Sequence, residues 1–247
     1  MKPVVVVRHE GPDRIRLAED VFAESGLRVA YVDLWRDHQL PSPADVAALV
    51  FLGGSMGVGD SNEFPFLAAE QDLIREAVRQ SIPLLGLCLG AQLLAAATGG
   101  KVFRAAHRSI GFLPVAKTLA AESDGLFRGF CATDRLLSWH QDTFTLPPGS
   151  QLLMSSDDTP NQAFRVGACA WGAQFHFEAD QALFENWIES SRELLPSTWG
   201  ITTGALVEAA RSYLPHQQTH ARQAFKALAE LAIRCSERGV GGDGAPV

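Results

Sequence analysis

Residues 83–100, PLLGLCLGAQLLAAATGG, set a short apolar run, a thiol between two glycines and a helix-forming run in immediate succession. The segment PLLGL has the length and composition of a buried strand, and LGAQLLAAAT that of a helix ended by Gly99 and Gly100. A buried strand needs no glycine and a buried helix is weakened by one. Gly86 and Gly90 therefore point to a strand handing over directly to a helix, through a turn where a side chain at either position would meet backbone. This G-x-C-x-G arrangement is the thiol version of the nucleophile elbow, which pushes a reactive side chain out at the carboxyl end of a parallel sheet. Cys88 would sit at a helix N-terminus, where the dipole and free N–H groups favour thiolate, with the Leu89 N–H beside it as an oxyanion donor. The competing reading is a buried cysteine in a packing turn, so a partner is required.

Around this elbow the first half of the chain alternates between two kinds of segment. Strands are expected at VVVVRH (4–9), RVAYVDL (28–34) and VAALVFLGG (46–54), with helices over 15–24 and 66–80. Short, uniformly apolar strands alternating with helices indicate a parallel sheet covered on both faces. From 101 to 178 the spacing shortens to KVFR, IGFLPVAKT, RLLSWH, QLLMSS, NQAFRV and ACAWGAQFHFE, read as hairpins and antiparallel additions to the sheet. Helices return over 179–195, 204–214 and 217–238. In the last, Ala221, Ala224, Phe225, Leu228, Leu231, Ala232 and Cys235 form a stripe at helical spacing that suits packing on the same domain, with a homodimer interface as the other use. The fold class is thus α/β: one domain with a mixed, mostly parallel sheet flanked by helices and extra C-terminal helices. Residues 1–195 are expected to form the α/β unit, 196–238 a helical extension packed on it, and 239–247 a disordered tail.

Bulk composition narrows the function. A net charge of -7 without clustered Lys or Arg argues against a nucleic-acid surface, leaving small polar ligands as the better substrates. The apolar stretch 82–98 is broken by Pro83, Gly86, Gly90 and Gln92, which argues against a membrane span. The N-terminus reads as a first strand and not a signal peptide. Cys88, Cys131, Cys169 and Cys235 are far apart and show no disulfide or metal-ligand spacing, as suits a reducing cytoplasm.

A cysteine nucleophile needs a base, and the base needs a group that fixes its tautomer. In WGAQFHFEAD, His176 closes an apolar strand and Glu178 lies two residues on; in extended backbone the two point to the same side. A satisfied core histidine followed by a first-turn glutamate is the alternative. FLGGSMGV (51–58) follows a strand, and its glycines allow main-chain N–H groups to approach a ligand, as an oxyanion site requires; without a lysine or GxGxxG spacing it is a poor phosphate loop.

Together GLCLGAQLLAAATGG, FLGGSMGV and GAQFHFE resemble the class I (triad-type) glutamine amidotransferases, such as the glutaminase domain of GMP synthase, over about residues 4–195. The resemblance implies that Cys88 attacks the side-chain amide of glutamine, that His176 shuttles the proton and that Glu178 orients it. It further implies an oxyanion hole from the Gly54 and Leu89 N–H groups, Gln92 near the substrate, and SWHQDTF (138–144) at its amino-acid end, making His140, Gln141 and Asp142 candidates; a capped turn is the plain reading of His140 and Asp142. Phe177 stands where the family commonly has proline, and no synthetase module follows residue 195, so a separate synthetase or acceptor subunit is the implied partner. Two other uses remain open: hydrolysis of γ-glutamyl bonds in small molecules, and a scaffold without activity.

No cofactor and no metal is expected. HQQTH (216–220) has the i, i+4 histidine spacing of a zinc helix but lacks the HExxH glutamate and a third ligand, so it reads as a solvated helix face. His9, His38 and His107 have no recognisable partners and are assigned no role.

Overall fold

A computed structural model describes residues 1–36 and 39–240. His38 and the 241–247 part of the expected tail lie outside the described residues. Val4–Arg8 (β1), Val29–Asp33 (β2), Ala48–Phe51 (β3), Leu84–Leu87 (β4), Val102–Lys117 (β5), Thr133–Phe144 (β6), Gln151–Ser155 (β7), Ala163–Val166 (β8) and Ala170–Ala173 (β9) form one sheet. Its order is β2-β1-β3-β4-β9-β8-β7-β5-β6. The first five strands in that order are parallel, and β8, β7, β5 and β6 extend the sheet in antiparallel fashion. This is the mixed α/β sheet that the alternation of segments implied.

Among the described residues the α-helices are Arg16–Glu24 (α1), Phe66–Arg79 (α2), Leu89–Ala97 (α3), Gln181–Ser190 (α4) and Thr203–Val240 (α5). β1 shows why its sequence is uniformly apolar. Val4 and Val6 pack with Phe22 of α1 and Phe225 of α5, whereas Val5 and Val7 pack with Ile74 of α2 and Leu94 of α3. Alternate side chains point to opposite faces, and helices cover both, so no position is left for a polar residue. The helical stripe of α5 is buried against α1 and the sheet, with Phe225 edge-on to Phe22 at a centroid distance of 5.9 Å. Over β5 and β6, the start of α5 and α4 bury Leu206, Ala210, Phe184 and Ile188 against Phe112 and Leu137.

Three local expectations change. KVFR and IGFLPVAKT are one strand, β5, whose register slips between Arg104 and Ser109; the bulge absorbs what the sequence shows as an interruption. The two terminal helices are one, α5, which runs through Pro215. Proline removes one main-chain donor, but Pro215 and Arg211 one turn earlier both lie on the exposed side, where water can satisfy the freed carbonyl, while Leu214 and Gln217 are buried. Finally, β9 stops at Ala173, so His176 and Glu178 lie in the turn after the strand and not within it.

Candidate active site

The elbow is built from the glycines flanking Cys88. A Cβ on Gly86 would lie 2.3 Å from the Gly90 carbonyl oxygen, and one on Gly90 would lie 2.3 Å from that of Phe51. Neither distance is tolerable, so β4, α3 and β3 pack this closely only because both residues are glycine. Hydrogen bonds from Cys88 N to Ala173 O (2.8 Å) and from Gly90 N to Leu52 O (3.1 Å) fix the turn to both neighbouring strands. Cys88 itself adopts φ 51° and ψ -105°, a conformation that costs a non-glycine residue about 1–3 kcal/mol. The strain holds the thiol at the carboxyl end of β4 and the N-terminus of α3, in the wall of a cleft of about 900 Å³.

His176 and Glu178 line the same cleft. The His176 Nδ1–H donates to Glu178 Oε1 at 2.7 Å, leaving Nε2 for the Cys88 thiol. Burial disfavours the imidazolium, but the charges of Glu178 and Cys88, and hydrogen bonds to both, outweigh it and push His176 up to about 10. The i, i+2 pairing expected of a strand is realised by the turn instead. His176 is fixed by its backbone, which donates to Leu137 O at 2.7 Å, and by its ring, edge-on to Trp187 at 4.9 Å.

The other expected residues fall around these three. Gly54 lines the cleft, and a Cβ there would approach Leu89 Cδ2 at 3.0 Å, so the loop and the start of α3 are neighbours; the Leu89 side chain is itself buried. Gln92 lines the cleft with its side-chain NH2 donating to Asp142 O (3.1 Å) and Gln174 Oε1 (3.3 Å). His140, Gln141 and Asp142 belong to β6 and also face the cleft. They are not capping a turn. Gln141 accepts from Arg108 Nε (3.1 Å), and Asp142 faces Arg104 Nε at 3.5 Å. His140 is buried, and that burial together with the charge of nearby His176 pushes it down to about 4, so it is neutral at neutral pH.

The comparisons with known proteins point one way. The family model for glutamine amidotransferase class-I matches residues 18–190. The chain belongs to the class-I glutamine amidotransferase family. A solved glutamine amidotransferase of Thermotoga maritima is 31% identical with a TM-score of 0.83, covering 93% of this chain and 98% of that one. One from Methylobacillus flagellatus is 27% identical with a TM-score of 0.82, covering 94% and 95%. The glutamine amidotransferase-like protein YfeJ of Salmonella typhimurium is 27% identical over 91% of this chain and 93% of its own. A glutamine-hydrolysing GMP synthase of Porphyromonas gingivalis is 34% identical over 60% of this chain, but that match spans only 28% of the synthase.

Within this family framework, several cleft residues escape sequence reasoning. His9 was given no role, yet its ring is fully buried between the glycine loop and α2. Nε2 meets Glu70 Oε1 at 2.8 Å and Nδ1 meets the Gly53 carbonyl at 3.1 Å. Since a carbonyl only accepts, Nδ1 carries a proton and holds the glycine loop in place. Gly53 of the same loop lies against both reacting side chains: a Cβ there would come within 2.9 Å of His176 Cε1 and 3.5 Å of Cys88 Cβ. Glu10 secures the same loop at Ser55, accepting from Ser55 N (2.7 Å) and Oγ (2.5 Å). His9 and Glu10 follow β1 at its carboxyl end, the edge that carries Cys88, and that position was the available signal. Gln174 donates to Cys88 Sγ at 3.7 Å. His107, also left without a role, is exposed on β5.

The solvated-face reading of His216 and His220 does not hold for the second residue. His220 is buried and both imidazoles face Asp134 and Cys131, which distant sequence positions concealed. Among the described residues no helix is long and apolar enough to cross a membrane.

Proposed function

We propose that this chain hydrolyses the side-chain amide of glutamine and releases ammonia for an acceptor on a separate subunit. The observation that carries the reading is His176 held between the Cys88 thiol and the Glu178 carboxylate, at a strained elbow opening into the cleft. The Cys88 thiolate adds to the γ-carbonyl carbon, and the oxyanion is held by the N–H groups of the glycine loop and of Leu89. Collapse breaks the C–N bond as the His176 imidazolium gives its proton to the departing ammonia, leaving a glutamyl thioester. Acylation removes the Cys88 charge, one of the influences holding His176 protonated. Its proton affinity therefore falls, and the imidazole can take a proton from water as that water attacks the thioester. Glutamate leaves, and the thiolate–imidazolium pair is restored.

The cleft is near the upper end of the roughly 300–1,000 Å³ typical of small-ligand pockets, larger than free glutamine requires. That size supports a second reading, hydrolysis of γ-glutamyl conjugates by the same three residues. All four cysteines are free, which supports a reducing compartment. Ammonia release from glutamine, assayed beside hydrolysis of γ-glutamyl peptides, separates the two readings, with Cys88→Ser as the control that should lose both. If neither substrate turns over and a glutamine-mimicking diazo-ketone leaves Cys88 unmodified, the chain is a scaffold.

A further inference from the structure

At the start of β6, whose residues 139–142 line the cleft, four side chains from two distant parts of the chain converge. Cys131 and Asp134 flank the start of β6, and His216 and His220 lie one turn apart on α5. Their donor atoms all lie within 4.8 Å of one another. The two Nε2 atoms are 3.1 Å apart, each is 3.7 Å from Cys131 Sγ, and they lie 3.3 and 3.4 Å from Asp134 Oδ1. A tetrahedral zinc ion with bonds near 2.0–2.3 Å sets ligand separations of about 3.3 Å for N–N or N–O pairs and about 3.6 Å for S–N pairs. Five of the six separations lie within about 0.2 Å of those figures, and the sixth, Cys131 Sγ to Asp134 Oδ1, is within 4.8 Å and closes by a small movement of the exposed Cys131.

The surroundings preset the ligands. Cys131 N donates to Asp134 Oδ2 at 2.8 Å, so the carboxylate presents its other oxygen to the histidines. His220 stacks on Phe130 with a centroid distance of 5.2 Å, which fixes the ring plane, while the His216 side chain is 60% exposed and leaves a path for an ion. None of the four faces the cleft that holds Cys88.

We propose that Cys131, Asp134, His216 and His220 bind one divalent transition-metal ion, zinc by the mixture of thiolate, imidazole and carboxylate donors. Four protein ligands fill a tetrahedral shell, so the ion acts as a clasp between α5 and β6 and not as a catalyst. Gln217, between the two histidines, donates to the His176 carbonyl, so the clasp also steadies the segment carrying His176.

The test uses the tag-free full-length protein, stripped with a chelator and dialysed against zinc alone. One equivalent of zinc should be retained, and cobalt(II) should give the intense d–d bands of a tetrahedral site together with a thiolate-to-metal charge-transfer band. Cys131→Ser should remove the charge-transfer band, and Cys131→Ser and His216→Ala should each weaken zinc binding by 100-fold or more. Both positions are exposed, and circular dichroism together with the metal-free melting temperature checks that the variants remain folded. Zinc should raise the melting temperature of the parent protein but not of Cys131→Ser/His216→Ala. Retention of under a tenth of an equivalent by the parent, or an unchanged cobalt spectrum in Cys131→Ser, overturns the proposal.

Discussion

Gln217 of the C-terminal helix reaches under the candidate base: its Nε2 donates to the His176 carbonyl at 3.0 Å while its Oε1 accepts from Leu137 N at 2.8 Å. One buried amide thus ties α5, β6 and the turn after β9 together. Replacing it by Leu leaves both main-chain groups unpaired, at roughly 1–3 kcal/mol each. Gln217→Leu should therefore lower the melting temperature and reduce kcat for amide hydrolysis about tenfold, with KM changing less. A variant with unaltered kcat would remove α5 from any part in seating His176.

Glu178 governs His176 by charge. Glu178→Gln keeps the shape but removes the carboxylate that helps hold the imidazole near 10. The imidazolium that the proposed mechanism uses to protonate the leaving group is present below that value and lost above it, so the alkaline limb of kcat/KM should move to lower pH in the variant. The rate at neutral pH should fall by about 10²–10⁴, as when the orienting carboxylate of a triad is made neutral. An alkaline limb that stays where it was would sever the link between the two residues.

Gly53 has no room for a methyl group, because a Cβ would meet His176 Cε1 at 2.9 Å. Gly53→Ala should displace the imidazole and cut kcat about 100-fold, since small misplacements at a reacting centre are costly. Its circular dichroism spectrum should remain that of the parent. Near-parent turnover would mean that the loop yields instead of the ring.

His9 and Glu70 act through that loop. His9→Phe leaves buried Glu70 without its partner and frees the Gly53 carbonyl. The expected cost is about 1–3 kcal/mol in urea denaturation, with a loss in kcat that His9→Asn partly restores by offering a shorter donor. Equal loss in both variants would indicate that only packing matters.

His140 makes the protein acid-sensitive. Its pKa is about 4 in the fold against 6.5 when free, so the neutral ring is favoured on folding. The unfolded chain binds the proton more readily, and this contribution is fully present above pH 6.5 and lost as the pH falls through 4. A gap of that size corresponds to about 3 kcal/mol. His140→Gln should lose less stability between pH 7 and pH 4 than the parent; parallel stability curves would assign the acid sensitivity to other groups.

By itself the sequence determined the α/β sheet, because strands buried on both faces must read as unbroken apolar runs, and it determined the elbow, because only glycine fits at positions 86 and 90. Cys88, His176 and Glu178 could also be chosen from it, since they are chemically unusual residues at the ends of apolar segments. The reason offered for the His176–Glu178 pair was a strand's alternation, whereas a turn after Ala173 brings them together. Only the tertiary structure decided the rest. His9 meets Gly53 across 44 residues, Glu70 across 61, and Cys131 meets His220 across 89, and no local periodicity records such meetings. Pro215 likewise stops a helix in isolation, yet α5 continues through it because buried contacts on both sides outweigh one lost hydrogen bond on the exposed face.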